Sequence, residues 1–375
     1  MGWPIPAIPE QVVLPRPRYG VWLSILAAMS IVGLLLTLFI GDISDYGQLI
    51  LYGAVPALLL WMCFFGARLN RYQQSLASAH AWNMETQQTK TEWQQWSRRQ
   101  LAIVASVVLT PEEHGIAELL DKQGNIPMYP QKARPLFGPL LDLSAHLTEV
   151  NQGLEHQCPG YRHHLRRIYL LHTNPIQEKT IIKAVTNRWG LLPERVATIE
   201  DIPQLQQQVQ CNELFLLLCL QHWPNHTPQK SSEFISAQLI TSPAFAHTQS
   251  LPIMAGMGRI MPLETGKLVD DLVMLFDYNQ IDNNKLPHIW LAGETENTAL
   301  DIATFTSDRK LDLPNKWPLH RINLSFGPAG ELSFALSLAM LAEAISRTEQ
   351  DQLVICQEPQ QPGWLCLLTR ELFDE

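Results

Sequence analysis

The sequence predicts a layered α/β domain preceded by an all-α, two-helix membrane hairpin. Two uncharged apolar segments near the N-terminus, Tyr19 to Ile40 and Gly47 to Ala67, are each long enough to cross a bilayer as a helix. From residue 100 onward, β-branched runs alternate with helical patterns, as a sheet covered by helices requires. The third observation is the stretch Asn323 to Ile345, NLSFGPAGELSFALSLAMLAEAI, in which a Gly-bearing turn opens into a helix without charge from Leu332 to Ala342. That helix is too short to span a membrane and is apolar on every face, which places it between two layers.

The link between the apolar segments, GDISDY, is so short that the helices must run antiparallel. Pro56 is tolerable in the second, because neighbouring helices compensate for a freed carbonyl. Arg16 and Arg18 precede the first helix and Arg68 and Arg71 follow the second, whereas the link carries only Asp42 and Asp45. The positive-inside rule then puts both ends in the cytoplasm of a bacterial inner membrane. A cleaved signal peptide fits less well, since the first segment is too long and lacks a small-residue cleavage site. The expected organisation is a hairpin over residues 1–72, with spans about 19–40 and 47–67, a helical linker over 73–99, and a cytoplasmic domain over 100–375. The linker lacks Pro and Gly, and its Trp93 and Trp96 share a face that either docks on the soluble domain or lies at the bilayer interface.

In the soluble part, Gln100 to Thr110 reads as a strand ending at Pro111. Ile168 to Thr173 is a second, with Asn174 as N-cap and Pro175 opening a helix that closes near Gly190. Leu214 to Trp223, LFLLLCLQHW, is apolar on both faces, as expected of a central strand, and SEFISAQLITSP returns antiparallel to it. After the turns around Ala255 to Pro262, LVMLFDY and HIWLAGE read as strands, then a helix runs from Asn297 to Phe305. RINLSF reads as the strand before the uncharged helix, and QLVICQE and GWLCLLTREL close the chain. Both series end in a strand pair, which suggests duplicated halves of about 100–255 and 256–375.

Composition narrows the function. A net charge of -9 with only small basic clusters, such as Arg98-Arg99, disfavours nucleic acid. Six scattered cysteines without a CxxC pair suit a reducing compartment. Cys219, His222 and His226 carry ligand-type side chains, but Pro224 interrupts any helix aligning them and no fourth ligand is evident, so neither metal nor cofactor is expected. The loop HWPNHTPQK makes Trp223 and His226 the candidate partner-binding residues, although a Trp at a strand end is also a common core residue.

LAIVASVVLTPEEHGIAELL, HIWLAGETENTALDIATF, RINLSFGPAGELSFALSLAMLAEAI and QLVICQEPQQPGWLCLLTREL together resemble the thiolase-like fold of β-ketoacyl synthases. The resemblance implies two pseudo-duplicated halves packed as layers around buried central helices. It also implies a nucleophilic cysteine, two histidines and a lysine. Here the sequence departs from the pattern. The segment between SAQLITSP and GMGRIMP, where the cysteine is expected, contains none. Gly293-Glu294-Thr295 stands where the first histidine would sit, and Ser325-Phe326-Gly327-Pro328 where the lysine and second histidine would. There is no G-x-S-x-G elbow, Walker loop or H-E-x-x-H pair.

The whole arrangement is similar to the type VI secretion lipase-adaptor family. That resemblance implies a non-catalytic adaptor or chaperone that captures a phospholipase effector and helps load it onto the secretion spike protein. Two alternatives stay open: an acyl- or lipid-processing enzyme with a rebuilt site drawing on Glu294, Asp301 or Ser325, and a structural inner-membrane subunit of a secretion complex.

Overall fold

The computed structural model describes residues 2–6, 8–9, 11–40, 45–120, 132–139, 141–174, 177–196, 213–223, 228–264, 266–281, 288–293, 297–311, 319–357 and 362–373. Two compact units emerge: Ile5–Glu92, and Met1–Pro4 together with Trp93–Glu375.

The first unit contains helices α1 (Tyr19–Ile40) and α2 (Tyr46–Leu49), a π-helical segment Ile50–Ala54, and most of α3 (Val55–Arg98). Two helices, Tyr19–Phe39 and Tyr46–Arg98, are long and apolar enough to cross a membrane. Small residues let them approach: a Cβ on Gly53 would stand 2.9 Å from Thr37 Oγ1 and 3.1 Å from the Gly33 carbonyl. The π segment ends two residues before Pro56, whose missing N–H breaks the regular ladder. Near the far ends, Trp61 Nε1 donates to the Trp22 carbonyl at 2.8 Å, and Phe65 stacks on Trp61.

The second unit is built on a mixed sheet of β1 (Leu101–Leu109), β2 (Leu165–His172), β3 (Glu194–Arg195), β4 (Leu214–Gln221), β5 (Phe234–Thr241), β6 (Ala255–Met257), β7 (Met261–Leu263), β8 (His288–Ala292), β9 (Leu319–Arg321), β10 (Gln352–Cys356) and β11 (Gly363–Thr369). Its order is β3-β2-β4-β5-β1-β6-β11-β10-β8-β9, with β7 on β11. The first five strands in chain order and the later set occupy equivalent places about the antiparallel β1–β6 pair, so the topology repeats. In each half a parallel pair (β2–β4, β8–β10) adjoins an antiparallel one (β4–β5, β10–β11).

The helices are α4 (Ala117–Leu120), α5 (Leu143–Gln157), α6 (Glu178–Trp189), α7 (Pro243–Thr248), α8 (Leu268–Asn279), α9 (Thr298–Asp308), α10 (Ile322–Phe326) and α11 (Ser333–Thr348). Asp142 caps α5 by accepting from Ala145 N, and Gly190 at φ 72° ends α6. Three expectations change. LVMLFDY belongs to α8, whose buried Leu268, Leu272, Leu275 and Phe276 follow a helical period. RINLSF is mostly α10, because Ile322 and Phe326 bury the same helical face. Helix α6 starts at Glu178, although Asn174 Oδ1 still accepts from Gln177 N just ahead of it, while Pro175 lies outside the described residues.

Helix α11 touches β1 and β5 of one half and β8, β10 and β11 of the other. From Ser333 to Ala342 every residue is buried, the uncharged run read in the sequence. Each fully buried Leu or Phe there contributes about 1.5–3 kcal/mol of transfer free energy. Residues 97–100 join the same unit. Trp96 packs edge-on against Trp93 and Trp3, and the Arg259 guanidinium lies 4.3 Å over its ring and donates to its carbonyl. These tryptophans therefore belong to the second unit and pack against its residues. Beyond the short β1–β6 pairing, the free edge of β1 meets a side chain. Ser106 N donates to Gln157 Oε1, and Gln157 Nε2 donates to the Ser106 carbonyl, both at 2.8 Å.

Candidate functional site

The junction between α10 and α11 runs through Gly327, Pro328, Ala329 and Gly330. Gly327 and Gly330 have φ of 83° and 72°, a region that side-chain-bearing residues rarely adopt. A Cβ on Gly330 would also lie 2.8 Å from Ser231 Cβ, so the turn fits only against a close neighbour.

That neighbour is the hairpin between β4 and β5. Gln221 Nε2 donates to the Ala329 carbonyl at 2.7 Å and to the Ser232 carbonyl at 2.6 Å. Ser232 N donates to the Pro328 carbonyl at 2.8 Å. The segment before α5 completes the clamp. Arg134 N donates to Ser232 Oγ, Glu233 N donates to the Arg134 carbonyl, and Arg134 Nη1 reaches both the Ser325 carbonyl and the Glu112 carboxylate.

Glu233, only 3 % exposed, is the charged centre of this clamp. Its Oε1 accepts from Trp223 N at 2.6 Å and lies 2.9 Å from His222 Nδ1, while Oε2 accepts from Leu136 N. Burial pushes its carboxyl up, but the His222 bond and the two backbone donors outweigh this and hold it below the usual carboxylate range.

The sequence candidates fall in different places. Ser325 is buried and its hydroxyl donates to the Arg321 carbonyl, a bond within α10. Asp301 sits in the first turn of α9, and among the described residues no hydrogen bond joins it to Ser325. Glu294 and His226 lie outside the described residues. Trp223 is 5 % exposed and donates from Nε1 to the Ser231 carbonyl, so its ring packs in the core at the strand end. Cys219 lies within β4, its thiol pushed up to about 12 by burial. Among the described residues no group of three His, Cys, Asp or Glu side chains is arranged to hold a metal.

The repeated topology moves one expectation. Helix α11 lies between β9 and β10, so its first-half counterpart falls between β3 and β4, not between SAQLITSP and GMGRIMP. Residues 197–212 of that interval lie outside the described residues. They include Cys211, which stands next to the start of β4 and far along the chain from the end of β3. The clamp itself escaped sequence reading, since its members come from four separated segments with no local motif.

This geometry can be set beside known structures. A chain of a type II polyketide synthase ketosynthase–acyl-carrier-protein complex superposes with a TM-score of 0.53 at 9 % identity, covering 73 % of this chain and 100 % of that one. The oxazolomycin ketosynthase domain of Streptomyces albus gives 0.52 at 7 % identity, over 73 % of this chain and 96 % of that one. A ketosynthase from module 1 of the bacillaene synthase of Bacillus amyloliquefaciens gives 0.51 at 10 % identity, over 73 % and 76 %. The fold is thiolase-like. No family model matches the chain, and no curated protein matches it in sequence. At these identities the likeness extends to the thiolase-like architecture alone.

Proposed function

We propose that this chain is a membrane-tethered, non-catalytic adaptor that binds a lipase effector in the cytoplasm and helps load it onto a type VI secretion spike. The observation that carries the non-catalytic part is the clamp. At the junction read as the place for a lysine and a histidine, the carbonyls of Ser325, Pro328 and Ala329 are taken by Arg134, Ser232 and Gln221. A turn whose acceptors are already satisfied, beside a carboxylate held ionised by three partners, supports architecture better than acyl transfer.

The tether rests on the two apolar helices, and the arginine flanks support cytoplasmic placement of the soluble unit. Anchoring raises effective concentration near a membrane-embedded apparatus without adding contacts. The lipase and the spike as partners rest on the resemblance of the whole arrangement to the lipase-adaptor family. Affinity capture of the tagged full chain from producing cells is expected to recover one dominant lipase-like partner. Recovery of general chaperones alone, or hydrolysis of acyl thioester probes by the purified chain, would sink the proposal.

A further inference from the structure

Adjoining the clamp, a cavity of about 640 Å³ opens between the end of β1, the turn after it, residues 136–139 and 141, α5 and the last turns of α11. Its size lies within the roughly 300–1,000 Å³ typical of small-ligand sites. Its polar lining is dominated by acceptors. Glu112 and Glu343 are ion-paired with Arg134 and Arg347, but Glu113 and Glu149 face the cavity without an arginine or lysine among the described residues.

A second, independent observation comes from His146. It lines the cavity, is 5 % exposed, and carries an Nδ1 with no hydrogen-bond partner among the described residues. That nitrogen stands 3.9 Å from Glu149 Oε2, too far for the two to bond each other. The spacing suits one nitrogen donor placed about 2.9 Å from both. Beside Thr110 and His114, the lining has an apolar floor of Val108, Leu109, Leu136 and Leu141, and it includes the aromatic Phe137. Such a surface takes a methylene stem, and an aromatic face attracts a cation.

We infer that this cavity binds an alkylammonium or alkylguanidinium group, with Glu113, Glu149 and His146 Nδ1 accepting its N–H donors and the apolar floor holding its stem. The chemistry is shared by free amines and by Lys or Arg side chains of a polypeptide. The inference is independent of the adaptor proposal, because it concerns what this cavity recognises and not which protein is captured. Burial holds the Glu343 carboxyl above its usual range despite Arg347.

The test is isothermal titration calorimetry on the full chain in detergent micelles, with agmatine and with a capped tripeptide containing arginine. At least one is expected to bind, and the Glu113→Gln/Glu149→Gln double variant is expected to weaken it by about tenfold or more with an unchanged melting temperature. Tighter binding of agmatine assigns the site to a free amine; tighter binding of the tripeptide assigns it to a basic side chain. Because both carboxylates lie at the cavity rim, the variant should fold. His146→Asn, expected to weaken binding without changing its preference among cations, gives a second readout. Absence of heat with both ligands, or affinity indifferent to the double variant, would overturn the inference.

Discussion

Helices α1 and α11 each carry a long uncharged apolar run, yet the two runs meet opposite surroundings. Along α1, Val21, Leu23, Ile31, Val32, Leu35, Leu36 and Phe39 are exposed. Along α11, Phe334, Leu336, Leu338, Met340, Leu341 and Ile345 are buried almost completely. Apolarity alone therefore does not tell where a helix lives. Length does part of the work, since α1 is 22 residues and α11 is 16. The flanks do the rest: α11 ends in Glu343 and Arg347, paired at 3.2 Å, while α1 carries no ionisable side chain apart from Tyr19.

The comparison breaks most sharply under matched substitutions. Leu338→Ala is expected to cost the second unit about 2–5 kcal/mol by opening a cavity beside the sheet. Leu35→Ala should leave that unit's stability unchanged within about 0.5 kcal/mol. Urea unfolding of the full chain in detergent, followed by tryptophan fluorescence, separates the two; equal losses would mean α11 is not the shared core element.

A smaller effect is expected at the seat from which α11 departs. Gly330→Val must adopt φ near 72° and place a Cβ against Ser231, at a cost of about 2–3 kcal/mol. Gly330→Ala should cost less. A thermal melt showing no loss for either would mean that the junction yields and the clamp does not constrain it.

The smallest effect concerns Glu343, the one carboxylate of α11. Its folded pKa is raised, chiefly by burial and only partly countered by Arg347, so the folded state binds this proton more tightly than the unfolded chain. Its contribution to stability is therefore largest at low pH and is lost as pH rises from the ordinary value of 4.5 through the folded one. Glu343→Gln removes that slope, and its advantage over the parent should grow from pH 4 to pH 7 in urea titrations. A constant difference across that range would contradict the assigned burial.

Some of this was legible in the sequence for definite reasons. The uncharged run Leu332–Ala342 announced burial on all sides, and β4, apolar on both faces, announced a central strand, whereas β5, more alternating in sequence, is also buried at every position. Helix α8 was misread because LVMLFDY, which starts at Leu272, was taken without Leu268, the residue that completes its helical spacing. Trp3, packed against Trp96 and donating to the Ile260 carbonyl, is unreadable from sequence because its partners lie about a hundred or more residues away. The clamp is hidden for the same reason. Arg134, Gln221, Glu233 and Ala329 carry no mutual signature until the strand order brings them together.

The Gln157 amide on Ser106 has a consequence of its own. A primary amide presents one donor and one acceptor in the spacing of a peptide group, so a single side chain impersonates the next strand. Sheets grow by templating on unpaired edges, and this one meets a counterfeit that cannot be extended. The stretch of β1 beyond its pairing with β6 is thereby closed: further pairing there is stopped by a residue that belongs to a helix.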